Sequence, residues 1–312
     1  MRLFFLILFL PLSAVGQYSY PVFDIQGHRG ARGIMPENTI PAFIAALDSG
    51  VTTLEMDLAV TRDGKIIVSH EPCMNATICR KPDGSAISEQ EQQLYNLYGM
   101  DYAEIRQWDC GNAGNPRFPR QARMTACKPL LRDVIAAAED HIRGYTHYET
   151  DYNIEIKSDS LGDGKFHPPA TEFAEMVVKM LDEYLPVERV TIQSFDFRVL
   201  RHLHEHHPQV RLSALTFTNK PVQEEIARLG FVPDVWSPLF TTLDRKELRH
   251  LHSLSPASRP DHTMRVIPWT VNEEKDMLSM KGMGTDGFIT DYPDVARKFR
   301  NTLKIKPRKK DD

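Results

Sequence analysis

The feature that most constrains this 312-residue chain is a rhythm of short aliphatic runs alternating with longer amphipathic ones. Tyr152-Asn153-Ile154-Glu155-Ile156-Lys157 is of the first kind. Thr171 to Tyr184, with Phe173, Val177 and Met180 or Leu181 on a common side, is of the second. Further strand-like runs occur at Val190–Phe195, Val210–Phe217, Asp234–Leu239, Arg265–Val271 and Phe288–Thr290. Between them the spacing predicts helices over 197–206, 221–229, 243–252 and 273–280, with a closing helix from Pro293 to Phe299. Upstream, Val22–Ile25 and Thr53–Thr61 read as strands around a helix over Thr39–Leu47, and Leu130–His141 as another helix. Such alternation implies a parallel sheet with helices outside it. Strands starting near residues 23, 53, 152, 190, 210, 234, 265 and 287 point to an α/β protein, a (β/α)8 TIM barrel. An open doubly wound sheet is the runner-up, unsupported by any Gly-x-Gly-x-x-Gly or phosphate-loop lysine.

One connection breaks the rhythm. Only Arg62-Asp63-Gly64 separates Thr53–Thr61 from Lys65–Ser69. Parallel neighbours need a crossover of a dozen residues or more, so these segments must form a hairpin, which returns His70 towards Glu55 and Asp57. The segment beyond His70, residues 71–128, is turn-rich, with one helix expected near Ser88–Leu97. It reads as an insertion over the active face of the barrel, too short to hold a core without staples. The cysteines Cys73, Cys79, Cys110 and Cys127 all lie within it. Three pairings exist, and the shortest closures are Cys73–Cys79 and Cys110–Cys127.

Residues 1–16 carry Arg2, an apolar run to Leu12 and the small residues Ser13-Ala14-Val15-Gly16, the pattern of a cleaved signal peptide. The expectation is a secreted or periplasmic protein in which disulfides persist. No stretch is long and apolar enough to predict a transmembrane segment. The formal charge of −4 does not suggest a nucleic-acid binder. The domain is expected to span residues 17–300, with a charged, solvated tail over 301–312; the oligomeric state is not legible.

In a barrel, chemistry gathers at the C-terminal ends of the strands, and the suspicious residues fall there. Glu55 and Asp57 stand at i and i+2 of a strand and leave the same face. Glu155 and Lys157 repeat that spacing. Isolated acids on apolar strands are costly unless a cation or proton compensates. Together Glu55, Asp57 and Glu155 form a hard oxygen site suited to one divalent cation, Mg²⁺ or Ca²⁺. The competing reading is a buried salt-bridge network of these acids with Arg29 and Lys157. His28 and His70 are candidates for proton transfer. Arg29 offers planar donors and Lys157 a point charge for phosphate oxygens. His202, His204, His206 and His207 fall on a helix exterior and read as solvated surface.

The motifs occur in order: Gly27-His28-Arg29-Gly30, Pro36-Glu37-Asn38-Thr39, Glu55-Met56-Asp57, Thr61-x-Asp63-Gly64, His70-Glu71, Glu155-Ile156-Lys157, Gln193-Ser194-Phe195, Trp269-Thr270-Val271-Asn272 and Asp286-Gly287-x-Ile289-Thr290-Asp291-Tyr292-Pro293. In this the chain resembles the glycerophosphodiester phosphodiesterase family, from about residue 23 to 298. The resemblance implies a metal-dependent barrel enzyme that hydrolyses small-molecule glycerophosphodiesters to glycerol 3-phosphate and an alcohol. The family's metal ligands correspond to Glu55, Asp57 and Glu155, and its acid and base to His28 and His70. Arg29 and Lys157 correspond to its phosphate-binding cations. The insertion resembles the family's inserted subdomain at the glycerol end of the site. One departure is Glu71, where the family usually carries Asp. Trp269 and Phe195 read either as an apolar wall beside the head group or as barrel packing.

The nucleophile is either water or the substrate's own glycerol 2-hydroxyl. Rival readings are a barrel phospholipase or phospholipase D-like lyase acting on intact lipids, a noncatalytic polyol- or phosphate-binding module, and a metal-dependent sugar isomerase or glycosidase. The lipid reading requires an exposed apolar rim.

Overall fold

The computed structural model of the chain describes residues 20–217, 220–302 and 308–309. The expected signal peptide, residues 1–16, and most of the 301–312 tail lie outside the described residues. Within the tail, Arg308–Lys309 pairs antiparallel with Tyr148–Glu149.

Eight parallel strands form the central sheet: β1 (Asp24–Gly27), β2 (Thr53–Val60), β4 (Asp151–Ile156), β5 (Val190–Ser194), β6 (Arg211–Thr216), β7 (Val235–Pro238), β8 (Arg265–Val266) and β9 (Gly287–Thr290). Their order is β9-β1-β2-β4-β5-β6-β7-β8, and β3 (Ile66–Val68) joins β2 antiparallel, as the short turn requires. The ring is completed between β8 and β9 by Asp286 N–H donating to Val266 O (3.0 Å) and Ile289 N–H to Pro268 O (2.9 Å). The strand expected over Arg265–Val271 is regular only at Arg265–Val266. Pro268 lacks an N–H to continue the ladder.

Strand alternation sorts the side chains. On β2, Leu54, Met56 and Leu58 are fully buried in the same core as Phe43 and Leu47 of α1 (Ile40–Ser49). Between them Thr53, Glu55 and Asp57 take the other face, inside the barrel. That interior is polar: Asn153 Nδ2 donates to Gln26 Oε1 (2.6 Å) and to Gln193 Oε1 (3.0 Å). Helix α1 begins where the sequence signals it. Thr39 caps its first turn by accepting from Ala42 N–H, and Gly50 ends it in the left-handed region at φ 81°. A Thr cap is worth about 1 kcal/mol. The same hydroxyl donates to Pro36 O (2.6 Å), closing the turn that carries Glu37 and Asn38.

In residues 71–128 a second buried cluster, with Met74, Ile78, Ile87, Leu97, Ile105 and Trp108, packs with Ala59 of β2 and Ile67 of β3. The helix expected near Ser88–Leu97 is replaced by 3₁₀ turns at Gln92–Leu94 and Leu97–Gly99. Ser88 and Glu91 exchange side-chain-to-backbone hydrogen bonds there, competing with a continuous helical ladder. The disulfide also differs from both shortest closures: Cys79 bonds Cys110, and Cys73 and Cys127 are free thiols. Reciprocal backbone hydrogen bonds between Arg80 and Asp109 (2.7 and 3.2 Å) bring Cys79 and Cys110 side by side. Backbone pairing, not loop length, selected the bridge.

Candidate active site

Glu55 and Asp57 of β2 and Glu155 of β4 meet because Asp57 lies in register with Glu155 across neighbouring parallel strands. All three are buried, and one oxygen from each lies within 4.8 Å of the others. Among the described residues they are the one such group of acidic, histidine or cysteine side chains. Their spare oxygens are pinned. Glu55 accepts from Arg29 N–H (2.8 Å) and Gln193 Nε2 (2.7 Å), and Asp57 Oδ2 accepts from Asn38 Nδ2 (2.8 Å). Asp57 Oδ1 is buried and accepts no hydrogen bond.

Burial, with Asp57 and Glu155 close by, pushes the Glu55 carboxyl well above its usual range. Burial also raises Glu155, against the pull of Lys157. For Asp57 burial acts upward too, but His70, Arg29 and Lys157 outweigh it and hold the group low. The salt-bridge reading accounts for part of this arrangement. Lys157 Nζ lies 2.9 Å from Glu155 and 3.8 Å from Asp57, and Arg29 Nε 3.4 Å from Asp57. Arg29, however, gives its closest contact to Glu37 (2.6 Å). Glu37 therefore competes with Asp57 for Arg29, and among the described residues no side-chain cation pairs with Glu55 within 4.0 Å. The surplus negative charge, the Asp57 oxygen without a hydrogen bond and an all-oxygen donor set suit a hard divalent cation.

His28 follows β1, in a turn that depends on the glycines at 27 and 30. A Cβ on Gly27 would meet Gly30 O at 2.4 Å, and Gly30 adopts φ +81° against the backbone of Ala42. Arg29 between them is itself at φ 51°. His28 Nδ1 bonds Asp291 Oδ1 at 2.7 Å. Arg32 grips the same carboxylate with two N–H groups (2.9 and 3.1 Å), and Asn272 Nδ2 donates to it at 2.8 Å. Burial and then Arg32 push the His28 pKa down to about 4, with Asp291 opposing. Burial would raise Asp291, yet His28 and Arg32 hold it below the ordinary carboxylate range. A carboxylate acceptor fixes the proton on Nδ1, leaving the His28 Nε2 lone pair available.

His70 is brought alongside by the β2–β3 hairpin, where Ser69 N–H donates to Asp57 O (2.9 Å). Its Nδ1 bonds Glu71 Oε1 at 2.8 Å, so the longer Glu still reaches the ring. That bond is the main cause of the lowered Glu71 pKa. His70, Glu155, Lys157 and Phe195 share a cleft of about 180 Å³ with Pro72, Phe166 and His167. Phe195 packs edge-to-face on Trp269 and on Phe217, each with ring centroids 5.5 Å apart. Trp269 also donates Nε1–H to Ser237 O (2.9 Å), which ties its ring to the barrel.

All the candidate residues read from sequence thus lie at one end of the barrel. The orienting partners Asp291, Glu37, Asn38 and Gln193 lie within the sequence motifs, but nothing local assigns them a partner. Lys128, buried beside Ser69, had no signal at all. The distant His202 and His207 both bond Glu175 on the exterior.

Comparison with known proteins agrees with this architecture. The profile of the glycerophosphoryl diester phosphodiesterase family matches residues 28–295. A glycerophosphodiester phosphodiesterase of Bacillus altitudinis is 27% identical over 288 residues, covering 90% of this chain and 99% of that protein. A crystal structure from Silicibacter pomeroyi DSS-3, of a protein assigned as a glycerophosphoryl diester phosphodiesterase, is 28% identical with a TM-score of 0.76, covering 91% of this chain and 95% of that one. A phosphodiesterase of Oleispira antarctica, solved in complex with the product sn-glycerol-3-phosphate, shares the fold at 19% identity and a TM-score of 0.67, over 90% and 96% of the two chains. With the family profile spanning the barrel from His28 to its last helix, the chain belongs to the glycerophosphoryl diester phosphodiesterase family of enzymes.

Proposed function

We propose that the protein hydrolyses glycerophosphodiesters to glycerol 3-phosphate and an alcohol. The observation that carries the reading is the meeting of three buried carboxylates with two imidazoles, each held through Nδ1 by its own carboxylate. Glu55, Asp57 and Glu155 would hold one divalent cation, Mg²⁺ or Ca²⁺, which when bound supplies charge stabilisation to the phosphoryl oxygens. Arg29 and Lys157 bind and neutralise those oxygens as charge grows on them. One imidazole takes the proton of the attacking hydroxyl as its oxygen bonds phosphorus. The other, entering as the imidazolium, gives up its proton to the alkoxide released when the opposite P–O bond breaks. His28 enters this cycle unprotonated at neutral pH, since burial keeps its pKa near 4. Phe195 and Trp269 line the head-group side. Residues 17–300 act as one catalytic domain, with 71–128 over its mouth, and residues 1–16 direct export to a secreted or periplasmic location.

A second reading, action on lipid phosphodiesters, is favoured by the mouth itself. Phe217 is 63% exposed beside Phe195, and Leu161, in the loop after β4, is 89% exposed. Phosphorus NMR separates the two. The protein is incubated with glycerophosphocholine, lysophosphatidylcholine or phosphatidylcholine, with Mg²⁺, with Ca²⁺ or with chelator. Glycerol 3-phosphate from glycerophosphocholine is expected only with a cation. Release of a lipid phosphate instead favours the second reading, and an accumulating cyclic phosphate marks the glycerol 2-hydroxyl as nucleophile. Absence of any phosphorus product defeats both.

A further inference from the structure

Lys128 is a buried cation that the mechanism above does not use. It is the last residue of the segment that returns to the barrel, and its position is fixed by backbone pairing. Val68 N–H donates to Pro129 O (2.9 Å) and Ile67 bridges Leu130, so the returning chain runs antiparallel to β3 and sets Lys128 beside Ser69. Only 7% of the residue is exposed. Nζ donates to Ser69 Oγ at 2.8 Å, and Ser69 Oγ–H in turn donates to Glu71 O at 2.8 Å. Glu71 holds the His70 ring. Lys128 lines the same small cavity as Glu37, His70 and Glu71. Burial lowers the Lys128 pKa, and the carboxylates of Glu37 and Glu71 oppose that shift. Among the described residues no carboxylate oxygen pairs with Nζ within 4.0 Å, and the one hydrogen bond it makes goes to Ser69. A buried ammonium with one short hydrogen bond is an expensive way to fill space. Its lever arm leads to one place, the turn that carries His70.

We propose that Lys128 is a positioning residue, locking the Ser69–Glu71 turn so that the Glu71-bound imidazole of His70 faces the reacting phosphodiester. The proposal rests on the proton-transfer role given to His70. A misplacement near 1 Å at such a group costs roughly 10²-fold in rate.

The test compares Lys128→Met, Lys128→Arg and Ser69→Ala, the last breaking the relay without removing charge, with glycerophosphocholine as substrate. For Lys128→Met the expected result is a roughly 10- to 100-fold fall in kcat. KM and calorimetric Ca²⁺ affinity should stay near wild type. Ser69→Ala should show a smaller fall of the same kind, and Lys128→Arg should recover part of the loss. In a His70→Ala background, Lys128→Met should cost nothing further. Histidine-detected NMR gives a readout independent of turnover: the His70 ring signals should shift in Lys128→Met while those of His28 stay. Unchanged kcat and unchanged His70 signals in folded Lys128→Met or Ser69→Ala overturn the proposal. So does an undiminished Lys128→Met effect without His70. If His70→Ala itself turns over normally, the proton-transfer reading of His70 fails instead.

Discussion

Asp291 is the residue on which the site's electrostatics can be tested most directly, by Asp291→Asn. The side chain keeps its size but loses the charge that accepts from His28 Nδ1 and twice from Arg32. Two separable losses result. Arg32, itself buried, is left facing an amide instead of a carboxylate; weakening a buried ion pair of this kind costs about 3 kcal/mol of folding stability. A domain of ordinary stability, about 5–15 kcal/mol, survives that loss. The second loss is catalytic. The amide can present N–H to Nδ1, which moves the imidazole proton to Nε2 and removes the lone pair that the proposed mechanism uses. Loss of a charged hydrogen bond together with the wrong tautomer lowers turnover by roughly 10²–10⁴-fold. Urea denaturation gives the first quantity, and glycerol 3-phosphate release from glycerophosphocholine gives the second. A folded Asp291→Asn protein with kcat within tenfold of wild type would refute the argument that this carboxylate sets the state of His28.

Three further outcomes are expected. Glu55→Gln removes a proposed ligand and relieves repulsion among the buried acids. Calorimetry should find divalent-cation affinity lost by at least about 100-fold, while the metal-free variant is no less stable than metal-free wild type. A cation at about 100 times its Kd should raise wild-type stability by about 2.7 kcal/mol, and that gain should vanish in the variant. For pH, the His28 pKa falls from 6.5 to about 4 on folding, so the folded state holds fewer protons than the unfolded chain within that window. Its contribution is therefore present above pH 6.5 and lost as pH falls towards 4. The full effect is at most about 3 kcal/mol. Urea midpoints at pH 7 and 4.5 should differ less in His28→Asn than in wild type. For the disulfide, Cys79→Ser opens a loop closed across 31 residues. Chain entropy puts the loss at about 4 kcal/mol. Cys73→Ser should leave the bridge intact by peptide mass mapping, and loss of the bridge there would contradict the Cys79–Cys110 pairing.

The barrel was legible because each strand and helix announces itself locally. The alternation on β2 that buries Leu54, Met56 and Leu58 also turns Glu55 and Asp57 inward, so period two alone placed two of the acids on one face. The three-residue turn at Arg62-Asp63-Gly64 likewise dictated an antiparallel β3 and the return of His70. Local pattern could not say which distant groups share a hydrogen bond. The partner of His28 lies 263 residues away at Asp291, brought near only because β9 closes the ring against β1. The bridge between Cys79 and Cys110 depends on the Arg80–Asp109 backbone pairing within an irregular segment, which loop length does not encode. Lys128 gains its place from a strand-like return beside β3 that has no periodicity to betray it. Covalent geometry and side-chain period act over a few residues and can be read in line. Burial and charge pairing act through space, so the orienting shell of the site emerges only once the ring is closed.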